Sequence, residues 1–404
     1  MTIPRALLIF SFLFFASART PAQTPTLALV GATVYTAPTA TPLQDAVVLS
    51  SAGTITAVGK RSEIQIPKDA RVIDCTGKTI VAGFWNSHVH FTEPIWNNPA
   101  NAPAAPLERH MQEMLTRWGF TTVWDLGSTP ADGLALRRRI ESGEFSGPRL
   151  LLTGDIFPKN GHPAYLPAEL QLPEAATPEE AAKKTRDYLA TGMDGIKLFT
   201  GAFMGDKPTI NMDTPIVKAA VDVAHPQGKP VFAHPQNRTG LDNALAGGVD
   251  ILAHTIPETD FSYSPGELQH FNAQHTALIP TLTLWTTIVP DKDLTEKIVQ
   301  AGANQLKAFA ANGGTVLFGT DVGFIHIYDT SLEVEFMHRA LSTSEVLASL
   351  TTNPAAYFHA TKKGQVQVGF DADLVVLDAN PAADIHNLAK VAYTIRAGRV
   401  IYKK

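Results

Sequence analysis

Eight short apolar segments, separated by amphipathic stretches, are the feature that most constrains the fold of this chain. In chain order they are IVAGFWNSHVH, TTVWDLG, PRLLLTGDI, DGIKLFTG, KPVFAHP, VDILAHT, TALIPTLT and GTVLFGTD. Each has the length and apolar character of a buried strand, and stretches such as TPEEAAKKTRDYLA between them have helical periodicity. Eight such repeats over roughly 280 residues predict a (β/α)8 barrel of the α/β class. A doubly wound sheet is the rival fold, but no Gly-rich dinucleotide fingerprint or P-loop accompanies these strands.

Short β-rich segments lie on both sides of the predicted barrel. Residues 26–80 alternate such segments with Gly, Pro and Ser turns, and residues 359–404 return to the same pattern after the last barrel helix. The two ends of a domain commonly lie close together. We therefore expect a small β-sandwich domain built from both termini, with the barrel occupying residues 81–358.

The first residues have the pattern of a secretory signal peptide. Arg5 precedes an apolar run from Ala6 to Ala16, and ASA at 16–18 is a small-x-small cleavage site, with a second site as late as residue 23. The run is shorter than the roughly 20 residues of a membrane span, although an uncleaved anchor is the alternative. We therefore expect the protein to be secreted or periplasmic, with no membrane contact beyond this segment.

Charge and cysteine content limit the partners and ligands that the chain can use. A formal net charge of -5 gives no reason to expect nucleic acid as a partner, so the expected partner is a small molecule. Cys75 is the only cysteine, which excludes an internal disulfide and a thiolate metal cluster. A metal site would have to use histidine, carboxylate or a less usual ligand. The sequence leaves the subunit number open and is compatible with a homo-oligomer.

Polar residues end most of the predicted barrel strands, where the chemistry of such barrels is located. His88 and His90 project to the same side of the first strand, because side chains alternate along a strand. The other strand-end residues are Lys197, His234, His254 and Asp321. Any one of them has an ordinary structural explanation, such as a hydrogen-bonded histidine or a helix cap. Together, four imidazoles and a carboxylate on one rim suit a divalent ion, zinc in particular.

This set resembles the metal pattern of the amidohydrolase superfamily, in the branch similar to imidazolonepropionases and to prolidase-like dipeptidases of the Xaa-Pro and Xaa-Arg type. The segment NPAAYFHATKKGQVQVGFDADLVVLDANP also resembles the family's connection from the last helix to the small β domain. The resemblance implies one metal on His88, His90 and Asp321 and a second on His234 and His254. It further implies that Lys197 is carboxylated at N6 and bridges the two ions, which would turn a costly buried cation into an anionic ligand. A salt bridge between Lys197 and a nearby carboxylate is the alternative.

The resemblance implies two divalent ions, zinc in particular, and a hydrolytic reaction. A metal-bridging hydroxide would attack a carbonyl, with Asp321 acting first as general base and then as general acid. We expect an exported amidohydrolase that cleaves the C–N bond of a small dipeptide or N-acyl amino acid. Cyclic amides, esters or lactones are an alternative substrate class, and a non-catalytic metal- or ligand-binding protein is the alternative from another class.

Four further residues are candidates for contact with the substrate. His162 and Tyr165 lie in GDIFPKNGHPAYLP after the third strand, where related enzymes bring a glycine–histidine stretch to the substrate, so His162 is also a catalytic candidate. Arg238, in HPQNRTG, could bind a substrate carboxylate, or it could be a solvated residue at a helix start. His326, in DVGFIHIYD, is expected to line the pocket. Asp125, at the end of the second strand, could orient a ligand histidine or cap its loop.

Overall fold

A computed structural model describes residues 26–404, and the predicted signal peptide lies outside these residues. The strands are β1 (Leu27–Val34), β2 (Leu43–Ser51), β3 (Thr54–Lys60), β4 (Arg71–Asp74), β5 (Thr79–Ala82), β6 (Phe84–Val89), β7 (Phe120–Asp125), β8 (Arg149–Pro158), β9 (Glu174–Ala175), β10 (Gly195–Leu198), β11 (Gly201–Ala202), β12 (Ile210–Asn211), β13 (Val231–Ala233), β14 (Ile251–Ala253), β15 (Ala277–Ile279), β16 (Thr315–Val316), β17 (Leu374–Leu377), β18 (Val391–Arg396) and β19 (Arg399–Lys403). The α-helices are α1 (Ala104–Met114), α2 (Pro130–Glu141), α3 (Pro178–Ala190), α4 (Thr214–Ala224), α5 (Arg238–Gly247), α6 (Pro265–Gln274), α7 (Leu284–Ile288), α8 (Lys292–Ala311), α9 (Ser331–His338), α10 (Thr343–Leu350) and α11 (Thr352–Tyr357).

Within residues 26–404 the larger sheet has nine strands. Eight of them are parallel neighbours in the order β6, β7, β8, β10, β13, β14, β15 and β16, and the short β9 pairs with the end of β8. Each of the eight apolar segments found in the sequence overlaps one of these strands. Hydrogen bonds also join the first strand to the segment that follows the last one: Ser87 N donates to Phe318 O at 2.7 Å, and His90 N donates to Val322 O at 2.8 Å. These bonds close the sheet on itself, so the predicted (β/α)8 barrel is confirmed.

Strands from both ends of the chain form the second sheet. Its order is β19, β18, β17, β5, β1, β2 and β3, and β4 pairs with the first half of β1. Because β1 pairs with β4 and then with β5 along the same edge, the hydrogen bonds give one continuous sheet. Apolar side chains of both arms, such as Leu29 and Val376, belong to one buried cluster, which also contains Cys75. The predicted small β domain built from both termini is therefore present, and its strands are joined by hydrogen bonds into one sheet with its own buried cluster.

A single residue, Gly83, separates the two sheets. β5 ends at Ala82 in the small sheet, and β6 begins at Phe84 in the barrel, so the barrel starts slightly later than residue 81. A Cβ atom at Gly83 would lie 2.4 Å from Thr121 Oγ1 and 3.0 Å from Asp373 Cβ, which no side chain could accept. The packing of the two sheets thus requires glycine at this position.

Local sequence explains where several barrel helices begin. Thr177 Oγ1 accepts a hydrogen bond from Glu180 N at 3.3 Å, and Pro178 occupies the first position of α3. At α6, Ser264 and Glu267 form a reciprocal capping box. Among residues 26–404, none of the helices is both long and apolar enough to cross a bilayer.

Candidate metal centre

Six polar side chains from five strand ends meet at the C-terminal mouth of the barrel. They are His88 on β6, His90 just after it, Lys197 on β10, His234 after β13, His254 after β14 and Asp321 after β16. All six line one cavity of about 440 Å³. The structure therefore brings together the whole set of strand-end residues that was picked out in the sequence.

A larger depression of about 930 Å³ lies at the opposite mouth of the barrel. Its lining includes residues at the beginnings of strands, such as Arg149, Pro230 and Thr315, and none of the six strand-end residues. The reaction centres of (β/α)8 barrels lie at the C-terminal ends of the strands, whereas the other face serves stability. We therefore assign the functional site to the smaller cavity.

Ligand atoms from four of these residues converge, and His88 Nε2 lies 3.1 Å from His90 Nε2. Asp321 Oδ1 lies 2.8 Å from His90 Nε2 and 3.1 Å from His88 Nε2. Even so, this buried oxygen has no partner of acceptable hydrogen-bond geometry among the described residues. One ring nitrogen each of His88 and His254 and one oxygen of Asp321 also lie within 4.8 Å of one another. Nitrogen and carboxylate ligands aimed at a common point fit a divalent cation such as zinc.

His254 occupies the middle of the imidazole cluster. Its ring centroid lies 4.7 Å from that of His88 and 4.6 Å from that of His234. His254 is therefore within reach of both proposed metal positions. Burial lowers the pKa of His88 to about 3 and that of His234 to about 4, so both rings are neutral at pH 7, as a metal ligand requires.

Hydrogen bonds determine which nitrogen of two histidines is free to bind a metal. Thr281 Oγ1 donates its only proton to Pro280 O at 2.8 Å, so it must accept from His254 Nδ1, which lies 2.6 Å away. His254 Nε2 is left with its lone pair. Likewise, His234 Nε2 donates to Gln236 Oε1 at 3.1 Å, which leaves His234 Nδ1 as the ligand atom. Partners that orient imidazoles in this way accompany most metal-bound histidines.

We expect Thr281→Val to weaken metal binding without disturbing the fold. The substitution keeps the shape of the side chain but removes the acceptor for His254 Nδ1–H, and loss of such a partner typically lowers metal affinity by about 10- to 100-fold. Competition with a chelator of known affinity measures the effect. Thr276→Val is the matched control. Thr276 lies just before β15 and Thr281 just after it, and the buried hydroxyl of Thr276 has no hydrogen-bond partner among the described residues. Equal metal affinity for the two variants would contradict the assigned role of Thr281.

Backbone strain is concentrated at the ligands. His254 has φ +85° and Asp321 has φ +60°, a region that residues with a side chain seldom adopt. Gly323, at φ +97°, is so close to His90 that a Cβ atom there would lie 1.8 Å from His90 O. At Gly127, a Cβ atom would lie 2.5 Å from His90 Nδ1. Where these ligands meet, the chain thus adopts unfavourable backbone conformations and has glycine at positions that are too close to His90 for a side chain.

Lys197 is 1% exposed, and its nearest partner in the sheet is a carboxylate that sequence reasoning missed. Asp155 lies opposite Lys197 in the ladder between β8 and β10 and also lines the cavity. Burial lowers the pKa of Lys197 to about 8, against the attraction of Asp155 and Asp321, and burial also raises the pKa of Asp155 well above its usual range. The Lys197 ammonium lies 5.3 Å from the centroid of the Phe199 ring. Burial thus gives Lys197 a larger fraction of uncharged amine than an exposed lysine has, while a pKa of about 8 leaves the ammonium as the major form at pH 7.

The substrate candidates divide between the cavity and its surroundings. Tyr165 lines the cavity, whereas His162 lies outside the lining. His162 Nδ1 lies 3.1 Å from Pro163 O, and His162 Nε2 is buried without a hydrogen-bond partner among the described residues. Arg238 begins α5, which carries it away from His234. Its guanidinium donates to Glu267 Oε1 at 2.5 Å and to Ser262 O at 2.9 Å. Arg238 is therefore held by α6 and its preceding loop, outside the cavity lining.

The side chain of Asp125 accepts hydrogen bonds within the loop that follows β7. Its Oδ1 accepts from Ser128 Oγ at 2.8 Å and from Gly127 N at 3.4 Å. These bonds correspond to the loop-capping alternative considered for Asp125.

His326 belongs to a hydrogen-bonded cluster beside the cavity and does not line it. Its Nδ1 lies 2.8 Å from Glu93 Oε1, which also accepts from Tyr328 Oη at 2.6 Å, while His110 contacts the other oxygen of Glu93. Burial of Glu93 opposes its ionisation, but the hydrogen bonds from His110, Tyr328 and His326 prevail and lower its pKa to about 2. The cluster ties the segment after His90 to the segment after Asp321, so it supports two segments that carry ligands.

Comparison with known proteins supplies independent information on this chain. A sequence profile of the Amidohydrolase family matches residues 79–401. Ochratoxinase from Aspergillus niger is 26% identical over 397 residues, covering 85% of this chain and 79% of that protein. Enamidase from Eubacterium barkeri is 22% identical over 349 residues, covering 83% and 82% of the two chains. The crystal structure of a candidate prolidase from Bifidobacterium longum superposes with a TM-score of 0.80 at 27% identity, covering 94% of this chain and 95% of that one.

Proposed function

Because the chain belongs to the amidohydrolase family and is a metal-dependent hydrolase of carbon–nitrogen bonds, we propose that it cleaves the amide bond of a small molecule at the strand-end cavity. The expected dipeptides and N-acyl amino acids fall within this substrate class. The observation that carries the proposal is Asp321 Oδ1, a buried oxygen that has no well-aligned hydrogen-bond partner within residues 26–404 and lies within 3.1 Å of His88 Nε2 and His90 Nε2. Such an arrangement is costly unless a cation occupies the point on which these atoms converge.

The strand-end residues would hold the metal in two groups. We assign His88, His90 and Asp321 to one ion and His234 and His254 to a second. When bound, divalent ions supply Lewis acidity that lowers the pKa of water and polarises a carbonyl group.

Asp321 is the residue proposed to move the proton. It would accept a proton from the attacking water as the new C–O bond forms, and then deliver that proton to the amide nitrogen as the C–N bond breaks. Tyr165 lines the same cavity, with its side chain partly exposed at the rim. Desolvation of the phenolic group, together with the nearby carboxylates of Asp321 and Asp155, raises its pKa. A phenol that stays protonated can donate a hydrogen bond to the carbonyl oxygen as negative charge develops on it.

We also propose that Lys197 is carboxylated. Its neutral amine would attack carbon dioxide, form an N–C bond and lose one proton, which gives an anionic carbamate. Support comes from the burial of Lys197 and from the lowered pKa of its amine. Because burial favours the neutral form of Asp155, that side chain would not repel the carbamate.

Removal of the metal tests the proposed function. Protein reconstituted with zinc in bicarbonate buffer should hydrolyse members of a panel of dipeptides, N-acyl amino acids and simple amides. After chelation and buffer exchange we expect turnover to fall by at least about 100-fold, since loss of Lewis acidity removes several kcal/mol of transition-state stabilisation. Zinc should restore activity. If only esters or lactones are cleaved, the amide proposal is wrong, and silence across the whole panel would favour a binding protein.

Export is a separate proposal that depends on the sequence alone. The signal pattern in residues 1–23 supports a secreted or periplasmic location. Cell fractionation, with mass measurement of the mature N-terminus, tests both the location and the cleavage site.

A further inference from the structure

Few of the polar groups that line the cavity are cationic, and some of them are already hydrogen-bonded. Among residues 26–404 no arginine lines the cavity, and Lys197 is the one lysine there. Gln236 accepts a hydrogen bond from His234, and Thr92 Oγ1 donates to Gly323 O at 2.8 Å. Apart from the proposed metals, which would engage the scissile carbonyl, and Lys197, which would be carboxylated, a substrate carboxylate would thus meet no cation among the lining side chains of residues 26–404. Burying an ion without a partner is expensive, so the cavity is poorly suited to an acidic substrate.

The walls of the cavity are apolar. On one side α7 and the residue after it contribute Leu284, Trp285 and Val289. On the other side, Phe157 and Phe199 are stacked with ring centroids 3.9 Å apart. A cavity of about 440 Å³ between such walls is large enough to bury an aromatic ring or a branched alkyl group.

The apolar surface continues to the rim, where it is exposed to solvent. Tyr165, Phe203 and Ile288 are each 41–45% exposed, and all three line the cavity. Large apolar side chains exposed side by side around a concave site indicate that the site binds an apolar ligand. The exposed apolar rim and the lack of a free cationic side chain among the described lining residues are separate observations. Both favour an apolar, uncharged substrate.

We propose that the preferred substrates are uncharged amides with an aryl or branched alkyl group and no ionised group beside the scissile bond. This inference rests on the proposed amide hydrolysis and narrows its substrate class. It differs from the expectation of free dipeptides and N-acyl amino acids, because those molecules carry a carboxylate next to the amide nitrogen. The apolar walls would bind the hydrocarbon part and exclude water from the reacting amide.

A matched pair of substrates tests the inference on metal-loaded protein. N-benzoyl-2-phenylethylamine and N-benzoyl-L-phenylalanine differ only in the carboxylate. We expect kcat/KM to be at least about 100-fold higher for the neutral compound, given the cost of burying an unpartnered ion. Equal values, or a preference for the acid, would overturn the inference and leave the proposed amide hydrolysis intact.

A rim substitution provides a second and independent test. Ile288→Lys places an ammonium at the exposed edge of the cavity and should raise the relative kcat/KM of the acid at least about threefold, since an ion pair at a partly exposed position is weak but favourable. Leu294→Lys is the control, because Leu294 is 43% exposed but does not line the cavity, and its ratio should match the wild type. An unchanged ratio in Ile288→Lys would count against the inference.

Binding to the zinc-loaded protein separates failure of this inference from failure of the proposed function. If neither compound is hydrolysed, the proposed amide hydrolysis is wrong for this pair, but calorimetry on the zinc-loaded protein still compares their affinities. Tighter binding of the neutral compound supports the apolar specificity. Equal or weaker binding refutes it.

Discussion

Asp321→Asn should lower kcat about 1,000-fold while the protein keeps most of its metal. Asparagine preserves the side-chain oxygen that faces His88 and His90, but it cannot accept the proton of the attacking water. General acid–base catalysis contributes about 10²- to 10⁴-fold, and here one group would serve in both directions of proton transfer. Steady-state kinetics on the best amide of the panel and metal analysis of the same sample measure the two quantities.

The exposed residue Asp329 provides the control for this substitution. Asp329 Oδ1 accepts a hydrogen bond from Ser331 N at 2.8 Å, outside the cavity lining, so Asp329→Asn should retain wild-type turnover. If Asp321→Asn kept more than a tenth of the wild-type kcat, another group would have to move the proton. If kcat and metal content fell together, Asp321 would be acting mainly as a ligand.

Replacing Lys197 should have the second large effect, and the outcome should depend on the charge of the replacement. Lys197→Arg keeps a cation that cannot be carboxylated, so we expect one ion or fewer per chain. Turnover should fall at least about 100-fold, because the Lewis acidity of the site is reduced. Lys197→Glu supplies anionic oxygens in a similar place and should recover metal content more than it recovers activity. Metal analysis and kinetics distinguish the two variants.

A spectroscopic measurement tests the carbamate itself. Wild-type protein in ¹³C-labelled bicarbonate should show a carbamate carbon resonance that Lys197→Arg lacks. Lys159→Arg is the control, since Lys159 is an exposed partner of Glu174 and should alter neither metal content nor the resonance. Two ions per chain in Lys197→Arg would show that the bridge is unnecessary.

The barrel could be predicted because strand and helix periodicities were both regular along the sequence. The ends of the strands were harder to predict. GTVLFGTD reads as one long strand, yet β16 covers only Thr315–Val316. The segment after it bonds to β6 instead and turns at Asp321 with φ +60°, a conformation set by the tertiary contacts of that residue.

The strand-end ligands could be proposed from sequence, whereas their supporting residues could not. Thr281 and Asp155 become significant only when register and loop shape bring them to His254 and Lys197. The sequence offered one signal for Asp155, which is that TGDI carries a carboxylate near the end of an apolar segment. Arg238 illustrates an ambiguity that sequence cannot resolve. Its position allowed either contact with a substrate carboxylate or a place at a helix start, and the start of α5 turns the guanidinium toward Glu267.

The junction at Gly83 has a consequence for biosynthesis. This one residue joins β5 to β6, the strand that carries His88. The antiparallel partner of β5 is β17, which begins only at Leu374. During translation one edge of β5 therefore stays open until nearly all of the chain has been made, and an open apolar edge invites aggregation. We would expect the nascent protein to depend on chaperones, and its yield to be sensitive to nonsense mutations late in the reading frame.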